Sequence, residues 1–292
     1  TIKYHLEKAV YVAKTRRPGP VWLDIPLDVQ AAVIDEGVLK EFNITAEAEK
    51  PVDANILKGQ ANSAIQLINQ AERPVILVGN GVRLAKATDD FLEIAEILQI
   101  PVLTTWKAMD FLSEEHPLFA GRPGASGQRG ANFAQQNSDC ILVLGARLDF
   151  GQTAYNHQNF ARGAKKVIVE LDEAEINKLD MSIDLPVCAD VGDFLRVLLA
   201  QKGAILHKDR SPWLSRCEQW KKRYPVVLPE YWDEKKGVNN YVLIDVLSDE
   251  MQADDLLIPG SSGACSEITM QAFRVKKGMR IMNSQGLGSM GF

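Results

Sequence analysis

The chain has 292 residues, enough for about two ordinary domains, and its 46% hydrophobic and 24% charged residues describe a soluble globular protein with a sizeable core. A net charge of −5 without any basic run argues against nucleic acid or an anionic membrane as partner. No apolar stretch approaches the roughly 20 residues of a membrane span, and the four cysteines and four histidines lack metal-ligand spacing, which fits a reducing cytoplasm.

The chain opens on a helix, with Leu6, Ala9, Val10 and Ala13 at helical spacing. Pro18 and Pro20 bracket Gly19 in a rigid turn, and Val21 to Ile25 reads as a short buried strand. Residues 1–35 thus form an αβ unit, and the polar, helix-poor stretch 36–50 reads as a linker. From Pro51 onward helices and strands alternate. Leu57, Ala61, Ala64, Ile65 and Ile68 mark a helix face, followed by an apolar strand from Pro74 to Gly79. Leu92 to Leu98 gives the next helix and Pro101 to Thr104 the next strand. Further strands are expected at Cys140–Gly145, Val167–Asp172 and Val187–Ala189, with helices near Arg129–Asn137 and Val191–Ala200. Strands apolar on both faces, alternating with helices, mean a parallel sheet covered on both sides. Residues 51–202 are therefore expected to be a doubly wound, Rossmann-like α/β domain flanked by incomplete α/β units.

Residues 203–237 read as a second linker, in which Trp213, Trp220, Tyr224, Tyr231 and Trp232 anchor a connecting segment rather than line a groove. Residues 238–292 begin another α/β unit, with a helix containing Val242, Ile244, Val246 and Leu247 and a strand from Leu256 to Gly260.

Ligands of doubly wound sheets sit at the carboxyl ends of strands. Gly79-Asn80-Gly81 follows one strand and lacks the third glycine of a dinucleotide fingerprint, so by itself it reads as a strand-to-helix turn. Gly145-Ala146-Arg147-Leu148-Asp149 follows another, with Arg147 placed to face a phosphate or to pair with Asp149. Glu170 and Asp172 end a third, where carboxylates can accept ribose hydroxyls. In the last unit, Gly260-Ser261-Ser262-Gly263-Ala264-Cys265-Ser266 follows a strand, and its small residues allow close backbone approach to a diphosphate.

These features, with Gly19-Pro20-Val21, Asp24-Ile25-Pro26 and above all Gly286-Leu287-Gly288-Ser289-Met290-Gly291-Phe292, resemble the large catalytic subunit of acetolactate synthase, a thiamine-diphosphate enzyme. The resemblance runs along essentially the whole chain. It implies the end of a pyrimidine-binding domain at 1–35, a central domain at 51–202, and the first part of a diphosphate-binding domain at 238–292. It implies that Gly263, Ala264 and Cys265 hold the diphosphate, that Gly288 and Ser289 also belong to the cofactor site, and that Met290 props the cofactor in its bent, reactive shape. Small residues at Ala264 and Cys265 depart from the Gln-His pair usual in the family. The family's flavin site matches Gly79, Gly81, Thr105, Gly145, Arg147, Asp149, Glu170 and Asp190, so FAD is an option for the central domain.

The resemblance further implies decarboxylation of a 2-keto acid such as pyruvate, transfer of the two-carbon unit to a second carbonyl, and a homodimer or homotetramer. The family's proton-donating glutamate and its magnesium motif fall outside residues 1–292, so no catalytic residue or metal ligand is assigned, and the chain alone is expected to be inactive. Within the superfamily a 2-keto-acid decarboxylase or a carboligase of sugar or polysaccharide biosynthesis stays open. Outside it, a nicotinamide- or flavin-binding Rossmann-like protein and a non-catalytic nucleotide-binding module are the rivals.

Overall fold

A computed structural model of the chain describes residues 1–47, 52–260, 263, 265–284 and 288. It divides into two compact units, Thr1–Asp53 and Ala54–Phe292. Among the described residues no helix is long and apolar enough to cross a membrane.

In the first unit the helix Ile2–Lys14 buries none of its residues. Phe42 packs against it, its ring 5.6 Å from that of Tyr4 and 5.3 Å from that of Tyr11, while the Phe42 backbone N–H donates to Glu7 Oε2 at 2.8 Å. Val21 to Ile25 is not a strand: residues 18–26 carry no regular structure, and Trp22 is 89% exposed. A strand exists only through hydrogen bonds to a neighbour, and no described residue of this unit is in a strand. The stretch read as helix-poor carries a 3-10 turn at Glu36–Val38 and a helical turn at Ile44–Glu47. Asp35 caps the first by accepting from the Gly37 N–H, and Asn43 Oδ1 accepts from the Ala46 N–H at the second.

The second unit is built on a six-stranded parallel sheet in the order β3-β2-β1-β4-β5-β6. The strands are β1 (Pro74–Val78), β2 (Val102–Thr104), β3 (Phe119–Gly121), β4 (Cys140–Leu144), β5 (Lys165–Glu170) and β6 (Leu185–Cys188). Every residue of β1 and β4 is buried. Side chains alternate between faces: Ile76, Val78, Leu142 and Leu144 join one core cluster, whereas Val75, Leu77, Ile141 and Val143 join the other. Helices Ala54–Gln70, Thr88–Leu98 and Val191–Ala200 cover the first face with Leu57, Ile65, Ile94, Phe194 and Leu198. A fully buried aliphatic side chain contributes about 1.5–3 kcal/mol, so this helical layer is held firmly against the sheet.

The other face is covered partly by the helix Arg129–Asn137 and partly by the helix Ser211–Arg223. The aromatic residues of 208–237 therefore divide. Trp213 is a core residue, 6% exposed, with its indole N–H donating to the Pro74 carbonyl at 3.0 Å, and Trp220 packs edge-on against it, whereas Trp232 stays 56% exposed. Cys140 and Cys217 are buried, and burial pushes both thiols up to about 12, which leaves them inert. β3, three residues long, has no counterpart in the sequence reading; its Gly121-Arg122-Pro123-Gly124 tail is what marks it.

The segment after residue 238 supplies the helix Asn240–Glu250, the helix Ser266–Ala272 and a two-stranded parallel sheet of β7 (Leu256–Leu257) and β8 (Arg280–Ile281). β7 stops short of the expected Gly260 because Pro259 cannot donate to a ladder and Gly260 turns the chain at φ +74°. Met270, Phe273, Val275, Met279 and Ile281 cluster with Trp106 and Met109, which follow β2. Arg122, 1% exposed, locks this junction: Nε donates to the Met270 carbonyl at 2.6 Å, Nη2 to the Phe273 carbonyl at 2.9 Å, and Nη1 meets Glu114 at 3.4 Å. Replacement by methionine keeps part of the stem and orphans two carbonyls, each at a cost of about 1–3 kcal/mol. Arg122→Met should lower the urea midpoint by the equivalent of about 2–4 kcal/mol with an unchanged slope. Lys202→Met, which removes only an exposed pair with Glu93, should leave the midpoint nearly where it was.

Candidate functional site

The strand order reverses between β1 and β4, and the loops leaving these two strands touch through glycines. Gly79 N–H donates to the Leu144 carbonyl at 2.9 Å and Gly81 N–H to the Gly145 carbonyl at 3.0 Å. A Cβ on Gly79 would sit 2.3 Å from the Gly145 oxygen, and one on Gly81 would sit 2.8 Å from the Gly145 Cα. Gly145 itself holds the left-handed φ of +56°. These three glycines are required by each other's backbones.

The remaining central-domain residues singled out from the sequence stand along the same carboxyl edge. Thr105 leaves β2 and donates its N–H to the Val78 carbonyl at 2.9 Å. Arg147 and Asp149 follow β4 and are exposed. Glu170 ends β5, and Asp190 follows β6. These residues line five adjacent strand ends of one edge, with the topological switch point between β1 and β4, the place where doubly wound folds bind ligands.

Their partners were not all legible. Arg147 donates its Nε–H to Glu175 at 2.8 Å, rather than pairing with Asp149. Burial works to raise the Glu175 carboxyl, but hydrogen bonds and charge from Arg147 and Lys178 prevail and hold it at about 2, against an ordinary 4.5. Glu170, buried, accepts from the N–H groups of Leu171 at 2.9 Å and Asp172 at 3.3 Å. Asp172 caps the helix Glu173–Asn177 by accepting from Ala174, and Asp190 caps Val191–Ala200 by accepting from Gly192 and Asp193. The acidic strand ends serve the local backbone first.

Three polar atoms at the same edge are buried without a partner: Thr104 Oγ1, Trp106 Nε1 and Gln152 Oε1. Buried polar atoms are normally satisfied, and this set, a hydroxyl, an indole N–H and a carboxamide oxygen, fits the hydrogen-bonding needs of a nucleotide. Sequence reasoning passed over Trp106 and Gln152, which carry no motif, and over the loop Gly121–Gln128, which its glycines and proline announce as a turn. It also passed over Asp110, nearly fully buried, which accepts from Arg83 at 2.6 Å, from Arg280 at 2.7 Å and from the Ile281 N–H at 3.0 Å. Arg83 in turn donates to Asn80 Oδ1 at 3.1 Å, so the glycine turn after β1 is tied to β8.

Of the residues expected to hold a diphosphate, Ala264, Ser289 and Met290 lie outside the described residues. Gly263, Cys265 and Gly288 are exposed. Gly288 has the left-handed φ of +62° and donates its N–H to the Ser284 carbonyl at 3.3 Å. Among the described residues no group of three or more His, Cys, Asp or Glu could hold a metal.

Residues 61–198 match the family described as "Thiamine pyrophosphate enzyme, central domain". The chain is 33% identical over 290 residues to the probable acetolactate synthase large subunit of Methanocaldococcus jannaschii, covering 97% of this chain and 48% of that protein. It is 32% identical to the acetolactate synthase isozyme 1 large subunit of Escherichia coli, covering 98% and 48%. Against the acetolactate synthase large subunit of Corynebacterium glutamicum it is 33% identical, covering 98% and 45%. The chain therefore spans about half the length of the curated relatives it matches.

Two outcomes follow from this geometry. Gly79→Ala should cost about 1–3 kcal/mol, because the new Cβ meets backbone rather than a side chain able to move; a lowered melting temperature reads it. A carboxyl held below its ordinary pKa stabilises the fold above pH 4.5, and that contribution is lost as the pH falls from 4.5 to about 2. The stability gap between wild type and Glu175→Gln should therefore narrow on acidification through that range, read by urea unfolding at several pH values.

Proposed function

From a chain whose residues 61–198 match the thiamine pyrophosphate enzyme central domain family, we propose that the protein is a thiamine-diphosphate-dependent carboligase of the acetolactate synthase kind. The observation that carries this reading is similarity to acetolactate synthase large subunits along 97% or more of the chain, well beyond the central domain on both sides. The cofactor supplies the electron sink that lets a 2-keto acid, with pyruvate the expected one, lose carbon dioxide. The second carbonyl that receives the two-carbon unit is also a 2-keto acid in this reading.

The chain's own contribution is placement. Gly263 and Gly288 are assigned to the diphosphate, where the lack of a side chain allows close approach, and Met290 is assigned the apolar prop that bends the cofactor. Asp110 and Arg122 fix the segment that carries these residues to the central sheet. Magnesium is expected with the diphosphate, held by residues other than the described ones. A nucleotide, with FAD the expected one, is assigned to the carboxyl edge of the central sheet. Support for it comes from the switch-point topology and from the unpartnered atoms of Thr104, Trp106 and Gln152. A homo-oligomer in the cytoplasm completes the reading.

The test is conversion of pyruvate to acetolactate and carbon dioxide by the polypeptide that carries these residues, with thiamine diphosphate present or withheld. Acetolactate formed only with the cofactor is the expected result. Turnover that depends on a nicotinamide cofactor, or tight ADP or FAD binding with no response to thiamine diphosphate, would overturn it. Visible absorbance of the purified protein between about 350 and 500 nm reads the flavin separately.

A further inference from the structure

Seven non-glycine residues hold left-handed backbone among the described residues, and four of them fall in one short segment: Leu148 (φ +53°), Ala154 (+50°), Tyr155 (+59°) and Ala161 (+41°). Left-handed backbone is unfavourable for residues with a Cβ, and such strain gathers where a fold must present a group in a set place. Here the consecutive pair Ala154-Tyr155 turns the chain back so that the Tyr155 ring lies against that of Phe150, centroids 5.2 Å apart at 41°. Neither ring enters a core: Phe150 is 55% and Tyr155 78% exposed. The fold holds two aromatic rings in tilted contact, open to solvent.

The position of this pair is fixed by the loops beneath it. The short helix Phe150–Thr153 follows β4, and the Gly151 carbonyl accepts from the Ala125 N–H at 2.9 Å, in the loop that leaves β3. A Cβ on Gly151 would stand 3.5 Å from the Trp106 ring, in the loop that leaves β2. Because β1 lies between β2 and β4, the segment bridges the carboxyl edge at the switch point. The unpartnered Trp106 Nε1 and Gln152 Oε1 belong to the residues that make this bridge, and Trp106 is 9% and Gln152 8% exposed. Open aromatic faces and buried hydrogen-bonding atoms in one place describe a site for a flat ring with polar edges.

We propose that Phe150 and Tyr155 form a stacking platform for the planar heteroaromatic ring of the nucleotide bound at the carboxyl edge of the central sheet. The platform rests on the nucleotide reading given above and adds to it the residues that take the ring. The ring is either the flavin or the adenine of such a cofactor, and the two are separated by experiment.

Wild type, Phe150→Ala, Tyr155→Ala, the double variant and Tyr155→Phe are titrated with FAD, riboflavin and ADP by calorimetry, with flavin fluorescence recorded in parallel. Both rings are exposed, so the variants should keep the wild-type melting temperature and circular dichroism. The double variant should bind FAD about tenfold more weakly or worse, and Tyr155→Phe should bind as wild type does. If the flavin is stacked, riboflavin fluorescence is quenched by wild type and not by the double variant, while ADP affinity is unchanged. If the adenine is stacked, ADP affinity falls with that of FAD and riboflavin is ignored by every form. FAD or ADP bound equally well by wild type and the double variant would overturn the platform and leave the nucleotide reading standing. No binding of any of the three to wild type would overturn both.

Discussion

The contact between Gly79, Gly81 and Gly145 is the constraint on which the rest of the carboxyl edge depends. β1 and β4 are neighbours in the sheet, yet the chain proceeds from β1 toward β2 on one side and from β4 toward β5 on the other. Their loops must part at the same point. They can do so only because backbone meets backbone at a separation no Cβ would tolerate, with the Gly81 N–H sealing the approach at 3.0 Å. A side chain at any of the three positions would push the loops apart. Thr105 would then lose its bond to Val78, and the bridge from Gly151 to the β2 and β3 loops would shift with β4.

A second constraint ties the terminal segment to this edge through charges in the interior. Arg122 gives its guanidinium to two carbonyls of one short stretch, and Asp110 receives Arg83 from one side of the junction and Arg280 and the Ile281 N–H from the other. Burying a charge is expensive unless its hydrogen-bonding capacity is met. Both residues meet the requirement through backbone groups as well as through a counter-charge, so the arrangement specifies one seating of the segment. The apolar cluster of Trp106, Met109, Met270 and Phe273 closes around the same contacts. The Asn80–Arg83–Asp110–Arg280 chain is continuous from the glycine turn after β1 to β8.

How much of this was legible in the sequence follows from how local each signal is. β1, β4 and β5 are runs apolar on both faces, a pattern that belongs to a parallel sheet, and they stand where the sequence puts them within two residues. The same apolar pattern at Val21–Ile25 misleads, because a strand is completed by a partner that a local pattern does not contain. β3 escapes notice for the opposite reason: three residues ending in glycine are too few to show a period. At the site, the strand-end loops were legible because glycine and acidic residues mark them. The bond from Arg147 to Glu175 was not legible, since Glu175 lies 28 positions away and is brought back only by the turn after β5. Trp106 and Gln152 were invisible because being buried without a partner is a property of three-dimensional packing alone.

Asp172 and Asp190 show why acidic strand ends are ambiguous. A carboxylate after a parallel strand can accept a ribose hydroxyl, but it stands equally well as the N-cap of the following helix. Here both are caps, and Glu170 accepts from two backbone N–H groups of its own turn. Arg147 is likewise engaged with Glu175. The charged groups that a sequence reader would enlist for recognition are thus bound to the scaffold, and a ligand would have to displace them from bonds they already make. The groups without such commitments are uncharged: a buried hydroxyl, an indole N–H, a carboxamide oxygen and two exposed rings. In the reading proposed above such groups suit the shape and edge pattern of a flat ring, whereas the N–H groups of Gly79, Gly81 and Gly145 are themselves held by the Leu144, Gly145 and Val169 carbonyls.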